Sequence, residues 1–292
     1  MKQIKYLSYI VLINLIFSQG NFQILKIPSN TRLLALSNSG QALNNFVNSY
    51  NPASIKVTNK NFNIHSHIYP LGIFYTKSEV IIPKNKSIYS FEYSNLNYGK
   101  FKDANINYTF NCSEFLFKSS MKTEILDKFS LGASLGYTIN KISTEFSHAL
   151  FISLGARAQM DNPKLGLGFS INNIGKIIKN FGDTKEALPI SINFSTFYQP
   201  KYFPGILCMD FYQEKNLQIR SGVEFKVNNN LSLRLGNSTN TLKLIDSYSS
   251  YFSGLSMGAG IQVKNWDIDL GFYNLETAGI ISGISLVYKK YN

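Results

Sequence analysis

Two stretches of the chain match Gly-x-Ser-x-Gly, at Gly132–Gly136 and Gly254–Gly258, which in a hydrolase would present Ser134 or Ser256 as a nucleophile. Such a serine needs a strand, a sharp turn and a helix around it, and an acid and a histidine later in the chain. Both stretches lie instead within uninterrupted alternation of apolar and small residues. No histidine follows Ser256, and only His148 follows Ser134. His65 and His67 could offer two metal ligands from one strand face, but no third ligand converges with them, so they read as polar interior residues. Asp267 and Asp269 also share a face, and paired carboxylates can do acid–base work. Nothing marks a substrate cleft beside them, and pairing with interior arginines is the expectation. No phosphate-binding glycine loop or zinc spacing occurs. The residues point to no enzyme and to no cofactor or metal.

The elements carrying these residues explain why they are bland. Across 292 residues, Phe (22), Tyr (18) and Gly (20) are abundant, while charged residues make up 16%, well below the roughly 25% usual in soluble domains. Aromatic and β-branched residues favour strands. From about residue 62 onward, segments of about ten residues alternate apolar with small or polar side chains, the signature of a transmembrane β-barrel. Phe129, Leu131, Ala133, Leu135, Tyr137 and Ile139 oppose Ser130, Gly132, Ser134, Gly136, Thr138 and Asn140, and a strand's period of two puts these on opposite faces. One face suits lipid and the other water.

The pattern predicts fourteen strands, at about 61–68, 71–82, 87–95, 113–124, 129–141, 148–158, 164–173, 188–198, 204–213, 217–227, 231–237, 254–263, 266–273 and 279–289. The fold class is therefore all-β, a 14-stranded antiparallel transmembrane barrel. With the C-terminus periplasmic, every connection on that side is short, and the three long ones (96–112, 174–187 and 238–253) fall on the external side, the asymmetry expected of an outer-membrane barrel. A sandwich would leave strand edges open. Alternation turns Arg157, Arg220 and Arg234 inward with Asp210, Glu224, Asp267 and Asp269, where they can neutralise one another. A packed polar interior and a selective passage are both open readings of this set, because fourteen strands enclose more than short side chains fill.

Ahead of the barrel (61–292) lie two further regions. Lys2 and Lys5 precede an apolar run from Tyr6 to Phe17, followed by small Ser18 and Gly20, which reads as a signal peptide over 1–20 and as export to the outer membrane. The run is too short to span a bilayer comfortably as a helix. In 21–60, Leu33, Leu34, Leu36, Ala42, Leu43, Phe46 and Val47 recur at helical spacing, predicting a helical segment, then a loop at Asn51-Pro52-Ala53, placed as a plug in the barrel. Cys112 and Cys208 are too few for a disulfide scaffold and read as bystanders. The net charge of +12 comes from lysines dispersed through turns and loops, which fits anionic lipid headgroups and argues against nucleic acid.

The plug region, FQILKIPSNTRLLALSNSGQALNNFVNSYNPASI, resembles the N-terminal signature of the PorV/PorQ family within the wider FadL-like group, through Arg32, the Ala35–Ala42 stretch and above all Asn51, Pro52 and Ala53. Gly168–Gly175 (GFSINNIG) with Leu188-Pro189 resembles the family's strand-loop-strand, and Leu233–Gly236 with Ser256–Ile261 its late strands. Ser37-Asn38-Ser39 stands where the family has Met-Gly-Gly, and Ser54 where it has Gly. The resemblance implies a non-enzymatic accessory of protein export, of the type IX kind, with outer-membrane lipid, export-system proteins and secreted cargo as partners. The alternative is a FadL-like transporter of hydrophobic small molecules, although the chain is short for the long external loops of that group.

Overall fold

A computed structural model describes residues 22–44, 50–102, 109–161, 164–183, 186–239, 253–275 and 278–290. The predicted signal peptide, Phe46 and Val47 lie outside the described residues. Fourteen strands follow one another: β1 (Lys60–Ile68), β2 (Phe74–Lys84), β3 (Ser87–Lys102), β4 (Thr109–Leu126), β5 (Phe129–Ile142), β6 (Glu145–Asp161), β7 (Lys164–Lys179), β8 (Ser191–Gln199), β9 (Gly205–Gln213), β10 (Leu217–Lys226), β11 (Leu231–Ser238), β12 (Ser256–Val263), β13 (Trp266–Asn274) and β14 (Ile280–Lys290). Each pairs antiparallel with its neighbours in the chain, and β1 closes on β14 from Lys60↔Lys290 to Ile68↔Ser282. Closure leaves no free outer edge strand to recruit another sheet.

The two faces separate as the alternation predicts. On β5, Leu131 and Leu135 are 43% and 53% exposed, whereas Ser130, Ser134 and Thr138 are buried. On β13, Leu270 and Phe272 are exposed. Large apolar side chains on the outside of a closed cylinder are stable only against acyl chains, and the wall is accordingly a transmembrane one.

The wall is not level. Strands β3 to β7 run for 16, 18, 14, 17 and 16 residues, whereas β8 to β13 run for 8 to 10. Much of the predicted external loop 96–112 is strand, paired out to Lys102↔Thr109 with stacked Phe101 and Phe110 rings. Predicted loop 174–187 likewise begins as strand, to Lys179. Above the bilayer the lipid-facing side chains no longer need to be apolar, so the alternation fades although pairing continues. Strand β8 starts at Ser191, later than predicted, because Leu188 is drawn into the barrel.

Leu135 lies midway along the outward run of β5. Leu135→Arg is expected to destabilise the barrel in lipid vesicles by about 2–4 kcal/mol, read by urea unfolding, with the outward but rim-placed Lys141→Arg near neutral.

Candidate functional site: the plugged lumen and its cavities

The described parts of the N-terminal segment, residues 22–44 and 50–58, run inside the barrel from its long-loop end to its short-turn end. Phe22, Ile24 and Leu25 pack with Tyr75, Leu96, Leu116, Phe151 and Leu188, and Ile55 and Val57 pack with Ile81 and Ile88 just before β1 begins. The predicted helix shrinks to one short helix, α1 (Thr31–Ala35). Asn30 caps it by accepting from the Leu33 N–H at 2.8 Å. Its other end closes as a Schellman turn, Asn38 N–H to Leu33 O and Ser37 N–H to Leu34 O, with Ser37 and Asn38 both at positive φ. Serine and asparagine make this turn, a conformation glycine takes more easily. Pro52–Ser54 forms a 3-10 turn where a loop was predicted, its start fixed by Asn51 Oδ1 accepting from the Ala53 N–H.

Two glycine-lined seats hold this segment. In one, a Cβ on Gly236 would run into the Leu36–Ser37 peptide, one on Gly258 into Ala35, and one on Gly271 into Thr31. Ser285 Oγ accepts from the Thr31 N–H at 3.0 Å, and Ser256 Oγ donates to Ala35 O at 2.8 Å. In the other, Gly132 faces the Pro52–Ala53 peptide, and Gly155 and Gly168 face Asn51. Asn51 Nδ2 donates to Ala156 O and Ser130 Oγ to Ala53 O. Thus Gly132 and Ser256 of the two Gly-x-Ser-x-Gly stretches serve plug seating, and Ser134 pairs with Ser120 on the wall.

The inward charges divide between plug and wall. Arg32 donates to both Glu224 oxygens at 2.7 and 2.8 Å, Arg234 reaches the same carboxylate at 2.7 Å, and Arg234 continues to Asp269. Burial works against the Arg32 charge, but Glu224 beside it outweighs that and raises its pKa. Asp210 accepts from the Gly40 and Gln41 N–H groups and from Asn193, and Arg157 donates to Ala42 O at 2.6 Å. One expectation needs correction, and two need detail. Asp267 pairs with Lys289, not an arginine; Arg220 stacks on the Tyr212 ring while lying across from Asp210 in the β9–β10 register; and Asp210 and Arg157 also hold plug main chain. His65 and His67 face Ser285 and Thr31, and among the described residues no three potential ligands gather as a metal site. Cys112 and Cys208 are free thiols.

Sequence reasoning missed Glu114, which accepts from the Gln23 and Ile24 N–H groups and from Tyr98, and the buried Lys77–Glu92–Lys118 ion network. For Glu92, Glu114 and Lys118 the available signal was parity, since outward Phe91, Tyr93, Phe115 and Phe117 flank them in β3 and β4; Lys77, between Thr76 and Ser78, carries no such signal.

The plug divides the lumen into unlike halves. Toward the long loops lies a cavity of about 370 Å³ lined mainly by Ile27, Leu34, Ile73, Leu96 and Ile281 and by Tyr69, Tyr98 and Tyr273, with Gln23, Lys26, Asn38, Gln218 and Arg220 among its polar residues. Toward the short turns lies one of about 280 Å³ lined by Arg32, Glu224, Arg234, Asp267, Asp269 and Lys289. In the wall beside the plug, Asn173 takes positive φ at a β7 irregularity, and its side chain donates to Pro189 O at 2.9 Å. β7 pairs with β8 only as far as Asn172↔Ser191. Beyond that point Leu188 folds inward to join the plug's apolar cluster.

No family model and no curated protein matches the chain. Solved structures do match in fold. A toluene transporter, TodX of Pseudomonas putida, superposes with a TM-score of 0.58 at 11% identity over 93% of this chain and 98% of its own. A Pseudomonas aeruginosa FadL homologue superposes with 0.57 at 12% over 91% and 99%. The chain shares their fold. Within that FadL-type fold, the plug lies directly against inward glycines of β5 to β7 and of β11 to β13.

Glu224→Ala leaves Arg32 and Arg234 facing each other in a buried site, and a loss of about 3–5 kcal/mol in unfolding free energy is expected. The Arg32→Ala/Glu224→Ala pair should cost less than the sum of its single changes in a double-mutant cycle.

Proposed function

We propose that the protein is an outer-membrane barrel that passes small hydrophobic molecules inward. The observation that carries this reading is the cavity of about 370 Å³ above the plug, apolar and aromatic over most of its wall, a size and lining typical of small-molecule sites. The plug fills the direct route below it, and the next cavity is charged, a poor environment for an apolar solute. The seam between β7 and β8, covered by Leu188 and Pro189, offers such a solute a way through the wall. A fold shared with a toluene transporter and a FadL homologue supports the reading. So does the outward apolar belt for outer-membrane placement, together with the short turns on one side and long connections on the other.

A second reading, an accessory of type IX-like protein export in the PorV/PorQ manner, draws support from the residues that carry that resemblance. Arg32, Asn51, Pro52 and Ala53 are the ones that seat the plug. The tall β3–β7 wall also gives export proteins or cargo a platform above the membrane.

Flux of a monoaromatic hydrocarbon into proteoliposomes carrying the full barrel separates the two. The transport reading expects flux well above protein-free vesicles, and Ile73→Lys, which places a charge on the cavity wall, is expected to weaken probe binding about thirtyfold, the equivalent of about 2 kcal/mol. Flux equal to that of empty vesicles, with secretion lost on gene deletion, would replace it with the export reading.

A further inference from the structure

On the outer face of the tall wall, the β3–β4 hairpin bends at an irregularity between Asn97 and Gly99, where Gly99 takes φ +84° and its N–H donates to Asn97 Oδ1. The bend, with the β5–β6 turn beside it, encloses a groove of about 740 Å³. Its floor is aromatic, Tyr93 and Phe115; its sides carry the amides of Asn97 and Asn111; Lys100 and Lys141 stand on its rim. All six lie on the outward side, with Tyr93 packed on Phe117 below them at 5.2 Å between ring centroids. The lumen and the cavity above the plug lie on the other side of this wall.

The depth of the groove is set by the strands. Outward positions of β5 read Leu135, Tyr137 and Ile139 and then Lys141, and those of β3 read Phe91 and Tyr93 and then Asn95 and Asn97. The groove therefore sits where acyl chains give way to headgroups in the external leaflet. A ligand there has an apolar part against Tyr93 and Phe115, hydroxyls beside two carboxamides, and negative charge near Lys100 and Lys141. Lysines at this depth attract anionic headgroups, and asparagine amides both donate and accept as sugar hydroxyls require.

We infer that this groove is a binding site for a phosphorylated glycolipid of the outer leaflet. The inference rests on the outer-membrane placement and not on the transport reading; an export accessory would carry the same site. It would fasten the protruding hairpin to the membrane surface and fix the orientation of the tall wall.

Native mass spectrometry of the whole barrel, released from detergent after incubation with lipid A or with dioleoyl phosphatidylglycerol, tests it. Wild type is expected to retain lipid A about tenfold better than the phospholipid, and Lys100→Glu/Lys141→Glu to remove that preference. Asn97→Ala/Asn111→Ala, which keeps both charges, should lower lipid A retention while leaving phosphatidylglycerol unchanged. Lys176→Glu, on β7 outside the groove, should leave both unchanged. Heat-modifiable gel migration confirms the folded barrel for each variant, and if the double charge reversal does not fold, Lys100→Met/Lys141→Met is read in its place. Equal retention of the two lipids, or an equal loss in Lys176→Glu, would overturn the site and leave only diffuse attraction. Failure to recover the wild-type protein in the outer-membrane fraction would instead remove the placement on which the site rests.

Discussion

The structure depends on how closely plug backbone approaches barrel backbone. Gly132, Gly155 and Gly168 on three adjacent strands, and Gly236, Gly258 and Gly271 on three others, occupy inward positions where any side chain would collide with residues 31–54. At that separation, plug amides and carbonyls reach strand hydroxyls and carboxylates directly, so polar groups removed from water keep partners. Asp210 and Ser285 receive plug N–H groups, and Ser130, Ser256 and Arg157 donate to plug carbonyls. A barrel of this width with wet walls would be a pore. With glycine seats it becomes a wall around the chain's own N-terminal segment.

The same constraint sorts the charges. Arg32 enters a site already holding Glu224, Arg234 and Asp269, and forms a two-point contact with Glu224 that neither water nor a lysine would match in geometry. Removing one member leaves buried charge uncompensated, which makes the cluster a lock rather than a source of net stability. With the Arg32–Glu224–Arg234–Asp269 cluster below the plug and a mainly apolar cavity above it, the two ends of the lumen are chemically different.

The strands were legible because lipid on one side makes most outward residues apolar, and that bias shows as period two. Where lipid ends, as along Asn95 to Lys102, the bias lapses and the sequence reads as loop although the ladder continues. The inward side was misread in a more instructive way. Gly132, Gly258 and Ser256 look like a water-facing surface, but they are seats for another segment, and only the folded pairing brings residue 53 to residue 132 or residue 32 to residue 224. The helical segment read from the spacing of Leu33, Leu34 and Leu36 is present but short, because Ser37 and Asn38 end it at Ala35, a turn these residues make less conspicuously than glycine. Asn173 with Leu188-Pro189, recognisable as a pattern, acquires its meaning only from the wall it interrupts.

The seating of residues 31–54 is most directly measured by hydrogen–deuterium exchange on the folded barrel in lipid nanodiscs. Seated as described, the amides of Thr31, Gly40, Gln41 and Ala53 exchange as slowly as neighbouring strand amides such as those of Gly132 and Ser256. Exchange of these four at the rates of an exposed loop, with the strands still protected, would show a lumen that the N-terminal segment does not close.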